Sequence, residues 1–260
     1  MNHINIRGGD YMRAKSITEE QVKKVIELRG KMSAVKIAEL LNLNYNQVTD
    51  VYRRYNMTNK LEPVFKPNHL QHQILISGIL GDGNIKQNGK NCYYRENHRP
   101  NQLEYLKWKH NNLKPMTRDS MLYYVAHSRV PLYEFCTITS PTFNYYKSLS
   151  YFDIVSMLDI NGIILLIMDD GWFNNASKLG NFYVSCGDKS LDIAEYLCHS
   201  FILHGLQGSH VIYQNKELNY YNISIPSYNN SLLEDLTYNL IGNIDVYKQK
   251  FKYIHRYGIV

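Results

Sequence analysis

Two stretches dominate the hydropathy pattern: residues 75–83, LISGILGDG, and residues 163–171, IILLIMDDG. Each is an apolar run closed by an acid and a glycine. The acids, Asp82 and Asp170, lie 88 positions apart, and 90 residues follow Asp170. Two near-equal halves beginning alike are the mark of a duplicated unit. After Gly83 the period changes to two, and NIKQNGKNCYYRE alternates about Asn88-Gly89, which predicts a hairpin. Residues 102–113 return to a helical period with Leu103, Leu106 and Leu113 inward, residues 121–127 and 131–139 read as strands, and residues 145–157 read as partly helical. The second half repeats this order: a strand at 182–186, a helix at 190–204, strands at 210–214 and 220–225, a closing helix at 232–244 and a basic tail, VYKQKFKYIHR. Each half therefore reads αββαββα, an α+β architecture.

Ahead of these halves, three short segments carry a helical period. Ser16 or Thr18 caps the first, whose stripe is Val22, Val25, Ile26 and Leu28. The second follows Ser33, with Val35, Ile37, Ala38, Leu40 and Leu41 inward, and the third runs over about 46–55 and buries Val48 and Val51. Residues 56–69, with Pro63 and Pro67, read as a semi-rigid linker. The expected division is 1–57 (including a basic arm), a linker at 58–69, and two halves at 70–158 and 159–260.

The stretch SAVKIAELLNLNYNQVTDVYRRY resembles a helix-turn-helix of bacterial regulators and recombinases. That resemblance implies a recognition helix over 45–54, with Tyr45, Asn46, Gln47 and Asp50 toward base edges and Arg53 and Arg54 toward phosphate. A trihelical unit for protein contacts is the other reading.

The two dominant runs have their own physics. Ser77, Gly78 and Gly81 are small enough to let a second helix approach, and Gly83 and Gly171 are suited to a left-handed helix end. Acids at helix C-termini face the negative end of the dipole. Two of them brought together by packed helices would repel unless a cation lay between, and a divalent ion fits.

These runs resemble the paired motifs of the LAGLIDADG homing endonucleases, the second in the Met-Asp-Asp-Gly form of single-chain members. The resemblance implies two pseudo-symmetric subdomains whose antiparallel, saddle-shaped sheets straddle double-stranded DNA. It implies Asp82 and Asp170 as catalytic metal ligands, with the carbonyls of Gly81 and Asp169 assisting, for Mg²⁺ with Mn²⁺ as a substitute. It also implies basic residues near the scissile phosphates, for which Lys216 and Lys147 are the candidates. Asn84, Lys86, Lys90, Tyr93, Arg95, Lys178, Tyr183, Ser185, Tyr213 and Lys216 are the expected DNA contacts in the halves, while His98, His127 and His210 could assist. The activity implied is a staggered double-strand break by a monomer, spreading an intron or its own gene. An intron RNA maturase or a non-cleaving transcription regulator is the alternative.

Charge agrees with nucleic acid as partner. The net charge is +6, and residues 1–60 alone carry +5. Four cysteines without C-x-x-C spacing argue against zinc and for reduced thiols, and no apolar run reaches membrane length. An intracellular protein away from membranes is the expectation.

Overall fold

The computed structural model describes residues 17–29, 32–55, 63–125, 130–174, 180–215 and 220–252. The chain divides into two compact units, 1–62 and 63–260.

The first unit holds α1 (Glu19–Leu28), α2 (Ala34–Leu40) and α3 (Tyr45–Arg54). Capping boxes start α1 at Thr18 and α3 at Asn44, each closed by a glutamine three residues on. Between α2 and α3 the chain reverses at Asn42, which has a φ of 53°, and Leu43 N–H donates to Ala38 O at 2.8 Å. Asparagine tolerates that left-handed backbone better than most residues. Val25, Ile37, Ala38, Val48, Val51 and Tyr52 form the unit's own core, with Leu41 packed against it. Val35 and Leu40, expected inward, are exposed on the other side of α2, since one helical face holds only Ile37, Ala38 and Leu41.

The second unit repeats one topology. Its first half runs α4 (His69–Leu80), β1 (Gly83–Asn88), β2 (Asn91–His98), α5 (Leu103–Asn112), β3 (Leu122–Val125), β4 (Pro131–Cys136), α6 (Thr142–Ser148) and α7 (Tyr151–Ser156). Its second runs α8 (Ile160–Asp170), β5 (Gly171–Asn174), β6 (Asn181–Ser185), α9 (Leu191–Leu203), β7 (His210–Asn215), β8 (Tyr220–Ile225), α10 (Asn230–Ile241) and α11 (Asp245–Phe251). The sheets have orders β1-β2-β4-β3 and β5-β6-β8-β7, all neighbours antiparallel. One apolar core spans both halves. Among the described residues no helix is long and apolar enough to cross a membrane.

At the centre, α4 and α8 pack together. They are apolar on nearly every side: residues 73–78 of α4 and 162–169 of α8 are buried without a break. The small residues that permit this differ from those expected. Gly81 does face α8, since a Cβ there would lie 3.0 Å from Asp169 Cβ and 3.1 Å from Asp170 Oδ2. Gly78, however, makes room for the Tyr94 hydroxyl, and Ser77 bonds back to Ile74 O at 3.2 Å within its own helix. The other close approach belongs to Gly162, which sits against the Gln73 amide of α4.

Gly83 and Gly171 are not left-handed either: neither is among the positive-φ glycines, and Gly171 has a φ of −88°. Side chains are excluded there by space, because a Cβ would strike Tyr94 at Gly83 and the Ile167 carbonyl at Gly171.

Three further expectations change. Each half ends in two helices rather than one. The basic tail is helical as far as Phe251, in α11, because Val246 and Phe251 are buried and Asp245 caps α5, its carboxylate accepting from Glu104 N at 2.8 Å and Tyr105 N at 3.2 Å; the rest of the tail, from residue 253, lies outside the described residues. The expected linker is bound to the second unit from residue 63 onward: Phe65 N donates to Thr142 Oγ1 at 2.8 Å, and Ser140 Oγ to Pro63 O. The four cysteines are buried and free.

Candidate metal and nucleic-acid site

Because α4 and α8 lie side by side, their C-terminal ends deliver Asp82 and Asp170 to one place. Asp82 follows α4 by one residue past Gly81; Asp170 is the last residue of α8. Burial, with Asp82's negative charge second, pushes the Asp170 carboxyl up to about 6. An acid whose charge is disfavoured by burial and by a second acid beside it is a place for a cation.

Beneath this pair lies a buried charged cluster that the pattern reading missed. Lys109 of α5 is fully buried, and its Nζ donates to Glu96 Oε1 at 2.6 Å and to Asp169 Oδ1 and Oδ2 at 2.7 and 2.8 Å. Glu96 also receives His98 Nε2 at 2.7 Å and the Tyr94 hydroxyl. One ammonium thus joins a strand of the first half to the central helix of the second. The two carboxylates around it are held differently. Burial raises Glu96, but Lys109 and His98 outweigh it and hold it down at about 2. Burial pushes Asp169 up to about 7, with Lys109 pulling down and Glu96 and Asp82 adding to the rise. Lys109 itself is kept protonated: burial opposes the charge, and the two acids more than offset it. The Asp169 carboxylate is engaged in this ion pair, both oxygens accepting from Lys109, whereas the metal role expected of this residue was for its backbone carbonyl.

Cations also reach the site from the second half. Lys250 on α11 donates to Asp169 O at 3.4 Å and to Gly171 O. Burial lowers it to about 8 against the pull of Asp169, Asp170 and Asp82. Lys189, buried in the loop after β6, donates to Leu80 O at 2.8 Å and acts on Asp170. Neither lysine was expected from the sequence, although Lys250 lies four residues after Val246, on the same helical face. Lys109 likewise sits on the stripe of Tyr105 and Leu106, where a basic residue among apolar ones was the available signal.

Of the lysines that were expected, Lys147 is exposed on α6 and lines a cavity of about 570 Å³ with Gly83, Asn84 and Tyr151. Lys250 lines the matching cavity of about 500 Å³, with Gly171, Trp172 and Asn101. Lys216, Lys178 and His127 lie outside the described residues. His98 belongs to the buried cluster, its Nδ1 3.5 Å from Asp82 Oδ2. His210 is exposed, with Nδ1 3.1 Å from Gly208 O.

The sheet register sorts the expected DNA contacts. Asn84 pairs with Arg95 and Lys86 with Tyr93, on the face opposite buried Ile85 and Tyr94. Lys90 stands exposed in the β1–β2 turn. Arg95 NH1 lies 3.5 Å from Glu134 Oε2. In the second sheet Tyr183 pairs with Trp172, the rings stacked at 5.7 Å, and Ser185 accepts from Gly187 N at 3.1 Å. Tyr213 does not join them. It pairs with Tyr221, on the side of inward Val211 and Ile223, its ring 5.1 Å from that of Tyr221. A bulge between Tyr213 and Asn215 breaks the alternation beyond it.

In α3, Tyr45, Asn46, Arg53 and Arg54 are exposed. Gln47 is committed in part to the Asn44 cap, its Oε1 accepting from Asn44 N at 2.8 Å, and Asp50 pairs with Arg53 at 3.1 Å.

A family model described as the LAGLIDADG DNA endonuclease family matches residues 72–233. Among solved structures the chain is similar to the homing endonuclease I-WcaI bound to its DNA recognition sequence. That similarity has 18% identity and a TM-score of 0.57, over 82% of this chain and 96% of the other. It also resembles mesophilic variants from the homing endonuclease I-DmoI, at 12% identity and a TM-score of 0.45, over 68% of this chain and 98% of that one. A third similarity is to I-DmoI in complex with DNA and Mn, at 13% identity and a TM-score of 0.41, over 68% and 99%. No curated protein sequence matches significantly.

Proposed function

Starting from the fact that this chain belongs to the LAGLIDADG DNA endonuclease family, we propose that it is a site-specific endonuclease that makes a metal-dependent, staggered double-strand break in DNA. The observation that carries this is the meeting of Asp82 and Asp170 at the ends of two packed helices, one from each half, with Asp170 pushed up to about 6 by burial and by Asp82. Their oxygens are hard ligands and would hold Mg²⁺, with Mn²⁺ able to replace it. Bound there, such an ion would lower the pKa of a water and offset charge building at phosphorus.

The chain's own groups supply the rest. Lys189, buried, and Lys250, half-buried, set two ammonium groups beside Asp170, where they would stabilise the negative charge of the transition state. Lys109 fixes the end of α8 through Asp169. The outer faces with Asn84, Lys86, Tyr93 and Arg95, and with Trp172 and Tyr183, would lie on the DNA. The first unit is read as a helix-turn-helix whose α3 presents Tyr45 and Asn46 to base edges and Arg54 to phosphate. Enzymes of this class serve to mobilise an intron or their own gene.

With Mg²⁺, the purified protein is expected to linearise a plasmid that carries the uninterrupted form of its host sequence. Asp170→Asn should slow cleavage roughly 10³-fold, the loss of about 4 kcal/mol of transition-state stabilisation. A protein that binds this DNA and cuts neither strand with Mg²⁺ or Mn²⁺ would be a regulator or an RNA maturase instead.

A further inference from the structure

We propose that His98 supplies a nitrogen ligand beside Asp82, so that the acid site also takes a borderline ion, Zn²⁺, and holds it more tightly than Mg²⁺. The inference rests on Asp82 being a metal ligand, as in the reading above, and adds a residue that no acid motif supplies.

Three observations converge on the imidazole. Its Nδ1 lies 3.5 Å from Asp82 Oδ2, and ligand atoms of Asp82, His98 and Asp169 all lie within 4.8 Å of one another. Donors bonded at about 2.1 Å to one ion stand at most about 4.2 Å apart, so the three need close in by only a few tenths of an ångström around a small cation. The other ring nitrogen, Nε2, is 2.7 Å from Glu96 Oε1. A carboxylate on the far nitrogen of a metal-bound histidine fixes the tautomer and aims the free lone pair at the ion. Finally the ring is locked: its side chain is 1% exposed and packs edge-on against Tyr105 at 5.7 Å. Without the ion Nδ1 donates to Gln102 Oε1 at 3.0 Å; on binding, the ion takes the place of that proton, which is released to solvent.

Glu96 is itself anchored by Lys109 at 2.6 Å, so the supporting carboxylate does not move when the ion enters. Imidazole favours zinc over magnesium, whereas oxygen donors alone favour magnesium. The acids by themselves predict a magnesium site; the histidine changes its preference.

The test titrates the metal-free full-length protein with ZnCl₂ and separately with MgCl₂ by calorimetry, for wild type, His98→Gln and Asp82→Asn. Wild type should bind one Zn²⁺ tightly, His98→Gln should weaken that binding by about 10- to 100-fold, and its Mg²⁺ affinity should change far less. Thermal melting checks that the variant is folded. A second measurement needs no variant: in histidine-selective ¹⁵N spectra of wild type, Zn²⁺ should move one buried imidazole to a metal-bound Nδ1 position. Equal Zn²⁺ affinity in wild type and folded His98→Gln, or no buried imidazole shifting in wild type, overturns the proposal. Either failure leaves Mg²⁺-dependent cleavage intact. Loss of cleavage in wild type, or Mg²⁺ binding unaffected by Asp82→Asn, would instead overturn the parent reading.

Discussion

Asp170 is where stability and chemistry oppose each other. Its carboxyl stands near 6 in the fold against an ordinary 3.8, because burial and the neighbouring Asp82 disfavour its charge. The folded protein therefore bears a cost when Asp170 ionises. That cost is fully present above about pH 6, shrinks as the pH falls toward 3.8, and is gone below it. In metal-free buffer at pH 7.5, Asp170→Asn should raise stability by about 1–3 kcal/mol, read as a higher Tm, and the gain should vanish by pH 4. Added Mg²⁺ should raise the Tm of wild type and leave that of the variant unchanged. A variant that melts lower than wild type at pH 7.5 would mean that the acid is satisfied without a cation. Lys109 is the opposite case. It sits between Glu96 and Asp169, and taking away one partner of a buried ion pair leaves the other uncompensated, at about 3–5 kcal/mol. Gly81 shows how little room the pair has: any side chain there presses on both Asp169 and Asp170.

At the scale of elements, α4 and α8 were legible in advance and α11 was not. The central helices, of 12 and 11 residues, carry the apolar runs Ile74–Ile76 and Ile163–Met168, and nothing but mutual burial can hold such helices in water. The seven residues of α11 are half polar and close to the chain end, so no local pattern distinguishes them from a tail. They are helical because the α5 N-terminus, more than 130 positions earlier, offers backbone N–H groups to Asp245, while Asp245 N donates to Glu104 Oε2 at 2.9 Å. This docking is what brings Lys250 to Gly171 and Asp169. Lys250→Met should lower the cleavage rate by about 10²-fold while leaving Mg²⁺ affinity and melting close to wild type, measured by single-turnover cleavage and calorimetry. A large drop in Tm with unchanged cleavage would make Lys250 a packing residue only. β5 escaped the pattern reading for a related reason: at four residues it is too short to show an alternation.

At the scale of the molecule, charge and fold are distributed unequally. Residues 1–60 carry a net +5, whereas residues 170–260 carry −1. The halves therefore rely on where their cations stand rather than on how many there are. Asn84, Lys86, Tyr93 and Arg95 share one face because a strand alternates, which could be read directly. The same alternation puts Tyr213 with Val211 on the inward side, and only beyond it does a bulge interrupt the strand. Each unit has its own core, so deleting residues 1–62 should leave a folded second unit. That truncation is expected to bind its target more weakly, with a shallower dependence of log Kd on log salt as phosphate contacts are lost. The cut position should not move. Mapping both strands of the product would check this, and a shifted cut would show that the first unit sets the register.

The sequence by itself determined the duplication, the central helices, the hairpin at Asn88-Gly89 and the acids that end each motif, because those signals are periodic or local and need no partner to be read. Tertiary structure alone decided that Lys109 bridges Glu96 and Asp169, that His98 turns toward Asp82, and that Lys189 and Lys250 converge on Asp170. Those pairings join residues 13 to 80 positions apart, and a buried charge is tolerated only where the fold sets an opposite charge against it.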